Sequence, residues 1–373
     1  KFNQQNVDKG ENMNNLYLSV SIFLIFFVIT GCWNGDGVKI SRDLWGETET
    51  GEKIYLYSFS SRSVDLTLTN YGGYITSLKT VDREGNKEDI VLGYRSLEEY
   101  IDDTQYLGCL VGRYANRIAG GTFDLKNKTY TLARNNGENH LHGGISPFSK
   151  KVWQSEVFKR GDKAGVLLRY KSPDMEEGYP GNLSVQVEFT LSNSGELALD
   201  YRAETDAPTP VNLTHHSYFN LNGAGEDILD HELMINADAF LPVDRGLIPT
   251  GDIRQVTGTP FDFRRPKPIG EDIDESSQQL IFARGYDHNW IINDYTPSGA
   301  LRKAASLYEP VSGRLMRLYT TEPGLQFYSG NFLDGTTVGK EGVVYKHRFA
   351  LALEPQHFPD SPNKSGFPST ILY

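Results

Sequence analysis

The chain has 373 residues and a formal net charge of −11, with 23% charged and 12% aromatic residues. This length allows one large domain or two and is enough to bury a sizeable core. The acidic balance disfavours nucleic acid as a partner, because the sequence has no basic stripe that could neutralise phosphates.

The N-terminal region predicts export. An apolar segment runs from Leu16 to Thr30, too short for a comfortable transmembrane span, and it ends in Ile29-Thr30-Gly31-Cys32. That ending resembles a bacterial lipobox, in which Cys32 becomes the acylated N-terminus, although Met13-Asn14-Asn15 lacks the usual Lys or Arg. We therefore expect residues 1–31 to hold upstream residues plus a lipoprotein-type signal, with Met13 as the start.

Two alternatives to this export prediction are an uncleaved anchor helix and a wrongly assigned start. On the lipoprotein interpretation, residues 32–37 form a short tether outside the fold. The protein is then a periplasmic or surface lipoprotein of a bacterial cell envelope, and its lipid anchor is its one contact with a membrane.

From residue 38 to the C-terminus, alternation of apolar and polar residues dominates and predicts strands. The alternating runs cover residues 64–68, 183–191 and 197–201, and Ser192-Asn193-Ser194-Gly195 between the last two predicts a hairpin. Helical patterns are scarce, with one or two turns expected over Ser96 to Tyr100. We predict an all-β fold, a large antiparallel β-sandwich of two stacked sheets, as a single domain over residues 38–373.

Glu354 is the most informative residue for function. It follows the apolar run Phe349-Ala350-Leu351-Ala352-Leu353, which is typical of a buried strand. A carboxylate at the end of such a strand is costly to bury unless it is paired or used. We therefore interpret Glu354 as a candidate catalytic group.

Histidines occur in two segments far upstream, His140-Leu141-His142 and His215-His216. These pairs suggest a zinc site, but adjacent residues of a strand face opposite sides, so one of His215 and His216 at most can face a given site. Satisfied structural histidines are a second interpretation. A third is acid–base chemistry, which needs one His as proton donor and one Glu as acceptor.

Other segments carry polar groups in settings typical of sites. Asn116 and Arg117 lie in a glycine-rich segment without P-loop or dinucleotide spacing, and they suit hydrogen bonding to a polyol or a role as structural donors. Asp287 and Gln326 begin or interrupt apolar strands and offer acceptors for hydroxyl groups. Cys109 lies in an apolar run, where a small core residue is expected, and two cysteines make no disulfide framework.

Together these segments resemble the aldose 1-epimerase (galactose mutarotase) family, in the family's order from about Val38 to the C-terminus. The markers are Asn116-Arg117, Leu141-His142-Gly143-Gly144, Glu177-Gly178-Tyr179-Pro180-Gly181, Asn212 to Leu221, Tyr286-Asp287-His288-Asn289, Gly324-Leu325-Gln326 and Leu353-Glu354. Two positions depart from the family pattern: His215 stands where Asn is frequent, and Pro355 where Thr is common. Neither departure removes a catalytic group.

The resemblance implies a β-supersandwich that interconverts the α and β anomers of free aldoses, with no metal, nucleotide or covalent nucleophile. Glu354 would be the general base at the anomeric hydroxyl, and His216 the general acid at the ring oxygen. His142 and Arg117 would bind and polarise sugar oxygens, with Asn116 nearby. Asp287 and Gln326 would hold ring hydroxyls.

Three alternatives stay open at this stage. One is an epimerase of a related sugar, such as a phosphorylated one, which would need additional basic residues in the pocket. Another is a non-catalytic carbohydrate-binding lipoprotein, which needs no matched acid and base. The last is a glycoside hydrolase, which normally needs two carboxylates flanking the bond, here Asp287 and Glu354.

Overall fold

The structure, a computed structural model, describes residues 18–27, 37–223, 225–297 and 299–373. The predicted lipid-attachment residue Cys32, the predicted start Met13 and most of the tether lie outside the described residues. No helix among the described residues is long and apolar enough to cross a membrane.

Strands are the main regular elements of the described chain. Its first part contains β1 (Leu18–Phe27), β2 (Lys39–Glu47), β3 (Lys53–Ser60), β4 (Val64–Thr69), β5 (Ile75–Val81), β6 (Lys87–Asp89), α1 (Leu97–Ile101), β7 (Leu110–Val111), β8 (Arg117–Ile118), β9 (Thr122–Leu125), β10 (Lys128–Thr131) and β11 (His140–Leu141). The middle part contains β12 (Gln154–Arg160), β13 (Lys163–Ser172), β14 (Leu183–Ser192), β15 (Glu196–Thr205), β16 (Thr209–Pro210), β17 (Thr214–His215), β18 (Tyr218–Phe219), β19 (Glu232–Ile235) and β20 (Ala239–Leu241). The last part contains β21 (Arg254–Gln255), β22 (Lys267–Pro268), α2 (Gln278–Ala283), β23 (Asp287–Ile291), β24 (Arg302–Tyr308), β25 (Leu315–Thr320), β26 (Gly324–Tyr328), β27 (Leu351–Gln356) and β28 (Ile371–Leu372).

Three antiparallel sheets form the body of the fold. Their strand orders are β12-β13-β14-β15-β1-β25-β24-β19-β22, β18-β27-β26-β23-β20-β21 and β2-β3-β4-β5-β6. Because alternate residues of a strand face the same side, the apolar residues of each sheet point inward together. One buried cluster joins side chains from all three sheets, for example Leu66, Val187, Leu318 and Leu325. The predicted all-β antiparallel fold is confirmed.

The local predictions agree with this architecture. The alternating runs form β4, β14 and β15, and the last two pair as a hairpin with Leu191 opposite Leu197. The short helix α1 begins after Ser96, whose side chain and Glu99 form a capping box. Sequence alternation and local capping therefore predicted these elements correctly.

The apolar segment assigned to targeting contains β1, which pairs with β15 on one side and β25 on the other. β1 is thus a member of the nine-stranded sheet. The export interpretation of this segment stays a prediction.

The six-stranded sheet positions the candidate site. Its register pairs Gln326 with both Asn289 and Glu354, and pairs Tyr328 with Asp287. Since residues two apart on a strand share a face, Asp287, Gln326 and Glu354 lie on the same side of this sheet.

Candidate active site

A cavity of about 620 Å³ opens on this side of the six-stranded sheet. It brings together six of the seven residues predicted to contact a substrate, from segments far apart in the chain. Those six residues are Asn116, Arg117, His142, His216, Asp287 and Glu354.

A second cavity of the same volume lies elsewhere and contains none of the predicted residues. Two lysines that line it are already paired, Lys87 with Asp65 at 2.9 Å and Lys340 with Asp89 at 2.7 Å. The cavity with the predicted residues is therefore the candidate active site.

Glu354 lies at the floor of this cavity, with 2% of its surface exposed. Burial raises the pKa of its carboxyl well above the usual value, and the neighbouring Asp287 adds to the rise while Arg117 opposes it. Among the described residues, Oε2 of Glu354 has no hydrogen-bond partner. Such a carboxyl group is suited to exchanging a proton with a ligand.

His216 faces Glu354 across a short gap. Its backbone N–H donates to the carbonyl of Cys109 at 2.9 Å, which fixes the segment after β17. Its Nε2 lies 3.6 Å from Oε1 of Glu354, too far for a good hydrogen bond. Burial lowers the pKa of His216 to about 4.

The two pKa shifts indicate that His216 and Glu354 together carry one proton near neutral pH. Burial disfavours both charged forms, which favours a protonated Glu354 carboxyl beside a neutral His216 imidazole. A carboxylate with an imidazolium contains the same number of protons. Moving one proton between the two side chains therefore converts the neutral pair into a base and an acid without exchange with solvent.

His142 presents one defined ring nitrogen to the cavity. The backbone N–H of Asn116 donates to its Nδ1 at 3.2 Å, so the neutral ring has its proton on Nε2. Burial lowers the pKa of His142 well below the usual value, and the nearby His216 and Arg117 contribute. The ring lies edge-on to His216, with centroids 5.3 Å apart. His142 is therefore a neutral hydrogen-bond donor.

Arg117 and Asp287 form the polar wall beside this pair. Arg117 donates from Nε to Asn136 at 3.0 Å, and one of its terminal nitrogens lies 3.8 Å from Asp287. Burial raises the pKa of Asp287, while Arg117 and a hydrogen bond from Gln326 lower it. The wall thus offers a guanidinium donor and a carboxylate acceptor to a polyhydroxy ligand.

Gln326 lies next to the cavity residue Asp287, and its predicted role in holding ring hydroxyls stays a prediction. It does not line the cavity, and its Nε2 donates to Asp287 Oδ1 at 2.7 Å. The cause is the strand register, which places Gln326 between Asn289 and Glu354. Gln326 therefore orients Asp287 from behind.

The two predicted histidine pairs each divide between a structural position and the cavity. His140 bridges Ala133 O at 2.8 Å and the Tyr179 hydroxyl at 2.7 Å, and His215 bonds to Gly73 O at 3.1 Å. These two are structural histidines.

The remaining pair, His142 and His216, has possible ligand atoms within 4.8 Å of those of Glu354. One nitrogen of His142 accepts from the amide of Asn116 and the other carries the proton. The donor set as arranged therefore lacks a free lone pair on His142 for a metal ion.

The marker around Glu177 has a supporting role. The carboxylate of Glu177 accepts from the backbone N–H groups of Ile145 and Ser146, each at 2.9 Å. These contacts hold the loop that follows His142. The buried Arg113 binds the same turn through the carbonyls of Pro180 and Gly181 at 3.1 and 2.9 Å.

Sequence reasoning missed several residues of the cavity. Tyr106 has a positive φ of 59° and packs its ring 4.7 Å from His142 and 6.2 Å from His216. The sequence indicated only that the run from Tyr106 to Val111 is buried, which does not reveal the backbone turn at Tyr106. Other lining residues that the sequence did not reveal include Asn136, Tyr218, Arg245, Phe282, Arg284, Tyr328 and Phe332.

The chain is similar to known sugar epimerases along most of its length. The sequence model of the aldose 1-epimerase family matches residues 55–373. The galactose mutarotase of Bos taurus is 45% identical over 337 residues, which cover 90% of this chain and 95% of that protein. The aldose 1-epimerase of Escherichia coli K12 is 39% identical over 304 residues, covering 81% and 86%.

Solved structures of sugar epimerases have folds similar to that of this chain. A galactose 1-epimerase from Lactobacillus acidophilus superposes with a TM-score of 0.78 at 28% identity, covering 90% of this chain and 96% of that one. An aldose epimerase homologue from C. elegans superposes with a TM-score of 0.75 at 32% identity, covering 83% and 91%. The fold is thus galactose mutarotase-like.

Proposed function

The chain belongs to the aldose 1-epimerase family, and on that premise we propose that it interconverts the α and β anomers of free aldoses of the glucose and galactose type. The enzyme is an isomerase. The observation that carries the mechanism is the placement of His216 Nε2 3.6 Å from Glu354 Oε1 at the floor of one cavity.

The reaction needs a base at one oxygen and an acid at another. The Glu354 carboxylate takes the proton of the anomeric hydroxyl while the His216 imidazolium gives a proton to the ring oxygen. The bond from C1 to the ring oxygen breaks and a C1 carbonyl forms. After rotation about the C1–C2 bond, the ring closes on the other face of the carbonyl with the two roles reversed.

The number of protons on His216 and Glu354 fits these reaction steps. Burial favours the proton on Glu354 in the free enzyme, whereas the reaction uses it on His216. Sugar hydroxyls donate hydrogen bonds to the carboxylate and so lower its pKa in the complex. Substrate binding therefore creates the base and the acid, and each contributes typically ~10²–10⁴-fold.

The remaining side chains orient the ring. His142 donates from Nε2 to a sugar oxygen, and Arg117 donates to another. Asp287 accepts from ring hydroxyls while Gln326 holds it, and the backbone N–H of Asn116 fixes the tautomer of His142. Held in this way, the sugar meets the acid and base in a defined orientation, which itself lowers the barrier.

Polarimetry tests the proposal directly. Fresh α-glucose or α-galactose is added to the protein, and the approach to the equilibrium rotation is timed against buffer. Acceleration on at least one of these sugars is expected. A protein that binds sugars without accelerating the change would be a carbohydrate-binding protein, and release of sugar from glycosides would indicate a hydrolase.

We further propose that the protein is an exported lipoprotein anchored through Cys32. The apolar segment ending in Ile29-Thr30-Gly31-Cys32 supports this. The full chain expressed in a bacterium is then expected in the membrane fraction with incorporated labelled palmitate. Cys32→Ser should abolish the labelling, and labelling that persists in this variant would overturn the anchor.

A further inference from the structure

The cavity has two chemically different ends. His216 and Glu354, which are 5% and 2% exposed, form its floor, whereas Arg245 and Arg284 are exposed at its rim. With about 620 Å³, the cavity falls in the range of about 300–1,000 Å³ typical of pockets for drug-sized ligands. A single hexose is smaller than such ligands, so the rim has room for groups beyond the reacting ring atoms.

The two rim arginines are available to an anion. Their guanidinium groups lie over aromatic rings, Arg245 over Phe282 at 5.1 Å and Arg284 over Phe332 at 5.8 Å. Within the described ranges, neither guanidinium forms an ion pair or a hydrogen bond. Stacking on a ring restricts the guanidinium while leaving its N–H donors free for a carboxylate or phosphate.

The backbone connects this rim to the polar wall. Arg284 ends α2 in a left-handed conformation, with φ 58°, and lies three residues before Asp287 on the same segment. The exposed acidic residue of the cavity lining is Glu138, which is paired with Arg134 at 2.9 Å. Two unpaired cations on a chain with a net charge of −11 make this rim a local site for negative charge.

We propose that the rim formed by Arg245 and Arg284 binds an anionic group, a carboxylate or a phosphate, carried by the aldose away from C1. This inference rests on the proposed function and adds to it a preference for acidic sugars among its substrates. Mutarotation changes only C1 and the ring oxygen, so an acidic group elsewhere is a spectator in the chemistry. The acidic group therefore strengthens substrate binding, so its effect is expected in KM and not in kcat.

The test compares anomerisation of glucose, glucuronate and glucose 6-phosphate by exchange NMR at low salt. At least one acidic sugar is expected to have kcat/KM about fivefold above that of glucose, since charged rim contacts contribute modestly. The double variant Arg245→Gln/Arg284→Gln should remove that advantage by raising KM for the acidic sugar. Addition of about 0.5 M salt to the wild type should have the same effect, because salt screens the charges of the two arginines. The rate on glucose should change less than about twofold.

A charge-matched control is Arg254→Gln/Arg265→Gln, which removes two exposed arginines outside the cavity. It should leave the preference for acidic sugars intact. Preference for glucuronate alone assigns a carboxylate, and preference for glucose 6-phosphate alone assigns a phosphate. Acceleration of glucose without any acidic preference overturns this inference alone, whereas no acceleration of any sugar overturns the proposed function and this inference with it.

Discussion

His216 and Glu354 face each other next to the pairing of β18 with β27. β18 and β27 are antiparallel, with Tyr218 opposite Ala352 and Phe219 opposite Leu351. His216 lies two residues before β18 and Glu354 two residues beyond this pairing on β27, and their Nε2 and Oε1 atoms are 3.6 Å apart. The base is therefore held by a strand and the acid by the short link between β17 and β18, whose backbone bonds to Cys109, and this fixed placement favours accurate proton transfer.

The first prediction concerns the base. Glu354→Gln keeps the shape of the side chain but removes its ability to accept a proton, so kcat should fall by ~10²–10⁴-fold. Polarimetry on glucose or galactose measures this. As a control, Glu176→Gln alters a half-buried carboxylate paired with Lys151 at 2.8 Å outside the cavity, and its kcat should be close to wild type. A Glu354→Gln enzyme with wild-type kcat would remove Glu354 from the mechanism.

The second prediction separates two adjacent histidines. His216→Asn should lower kcat by ~10²–10⁴-fold, because the ring oxygen loses its proton donor. His215→Asn disturbs the bonds to Gly73 and Ser217 instead, so it should lower the unfolding temperature while each folded molecule keeps its kcat. The activity per folded protein, corrected by circular dichroism, gives the comparison. Equal loss of kcat in the two variants would mean that His216 acts only through the fold.

Much of this site follows from the sequence. An apolar run that ends in a carboxylate identified Glu354, and the rule that strand neighbours face opposite sides anticipated the separate roles of His215 and His216. Sequence alternation and turn residues also sufficed for the sheets, because burial of alternate residues is a local pattern.

Other features depend on contacts that no local pattern contains. Gln326 lies behind Asp287 because of the register with its neighbouring strands, and a shift of one residue would have turned it away. Tyr106 reaches the two imidazoles through a positive φ that its apolar neighbours do not reveal. Arg245 and Arg284 come from different loops, and only folding places them at one rim.

The third prediction concerns the tautomer of His142. The Asn116 N–H bond to Nδ1 requires the proton on Nε2, so ¹⁵N NMR of labelled protein should show the Nε2–H form through the neutral range. Activity should also survive dialysis against EDTA, since this tautomer offers no lone pair to a metal. An Nδ1–H signal, or activity restored only by zinc, would contradict the arrangement.

The fourth prediction is the pH profile. The reactive pair contains one proton, so kcat/KM should fall in acid as the pair gains a second proton and in alkali as it loses its own. The acid limb follows the lowered His216 pKa of about 4, and the alkaline limb follows the raised pKa of Glu354. Initial rates from pH 3.5 to 9.5 should give a broad bell. A rate that rises steadily with pH would show that no group needs to be protonated.

The last prediction concerns stability and a histidine outside the site. His231 is 1% exposed, and its Nε2 accepts from the Leu221 N–H at 2.9 Å. Burial lowers its pKa to about 4 in the folded protein, against about 6.5 in an unfolded chain. As the pH falls below about 6.5, His231 becomes protonated in the unfolded chain but stays neutral in the folded protein. The free energy of unfolding therefore decreases.

His231→Gln keeps a hydrogen-bond acceptor but removes this titration. Urea unfolding at pH 7, 6 and 5 should therefore show that the free energy of unfolding of the wild type falls, relative to that of the variant, by up to about 2 kcal/mol. Other groups titrate equally in both proteins and cancel in the difference. The difference in the free energy of unfolding between wild type and variant should be constant above pH 7, where the imidazole is neutral in both states. If that difference stayed constant down to pH 5, His231 would be protonated as readily in the folded protein as in the unfolded chain, which would contradict the prediction.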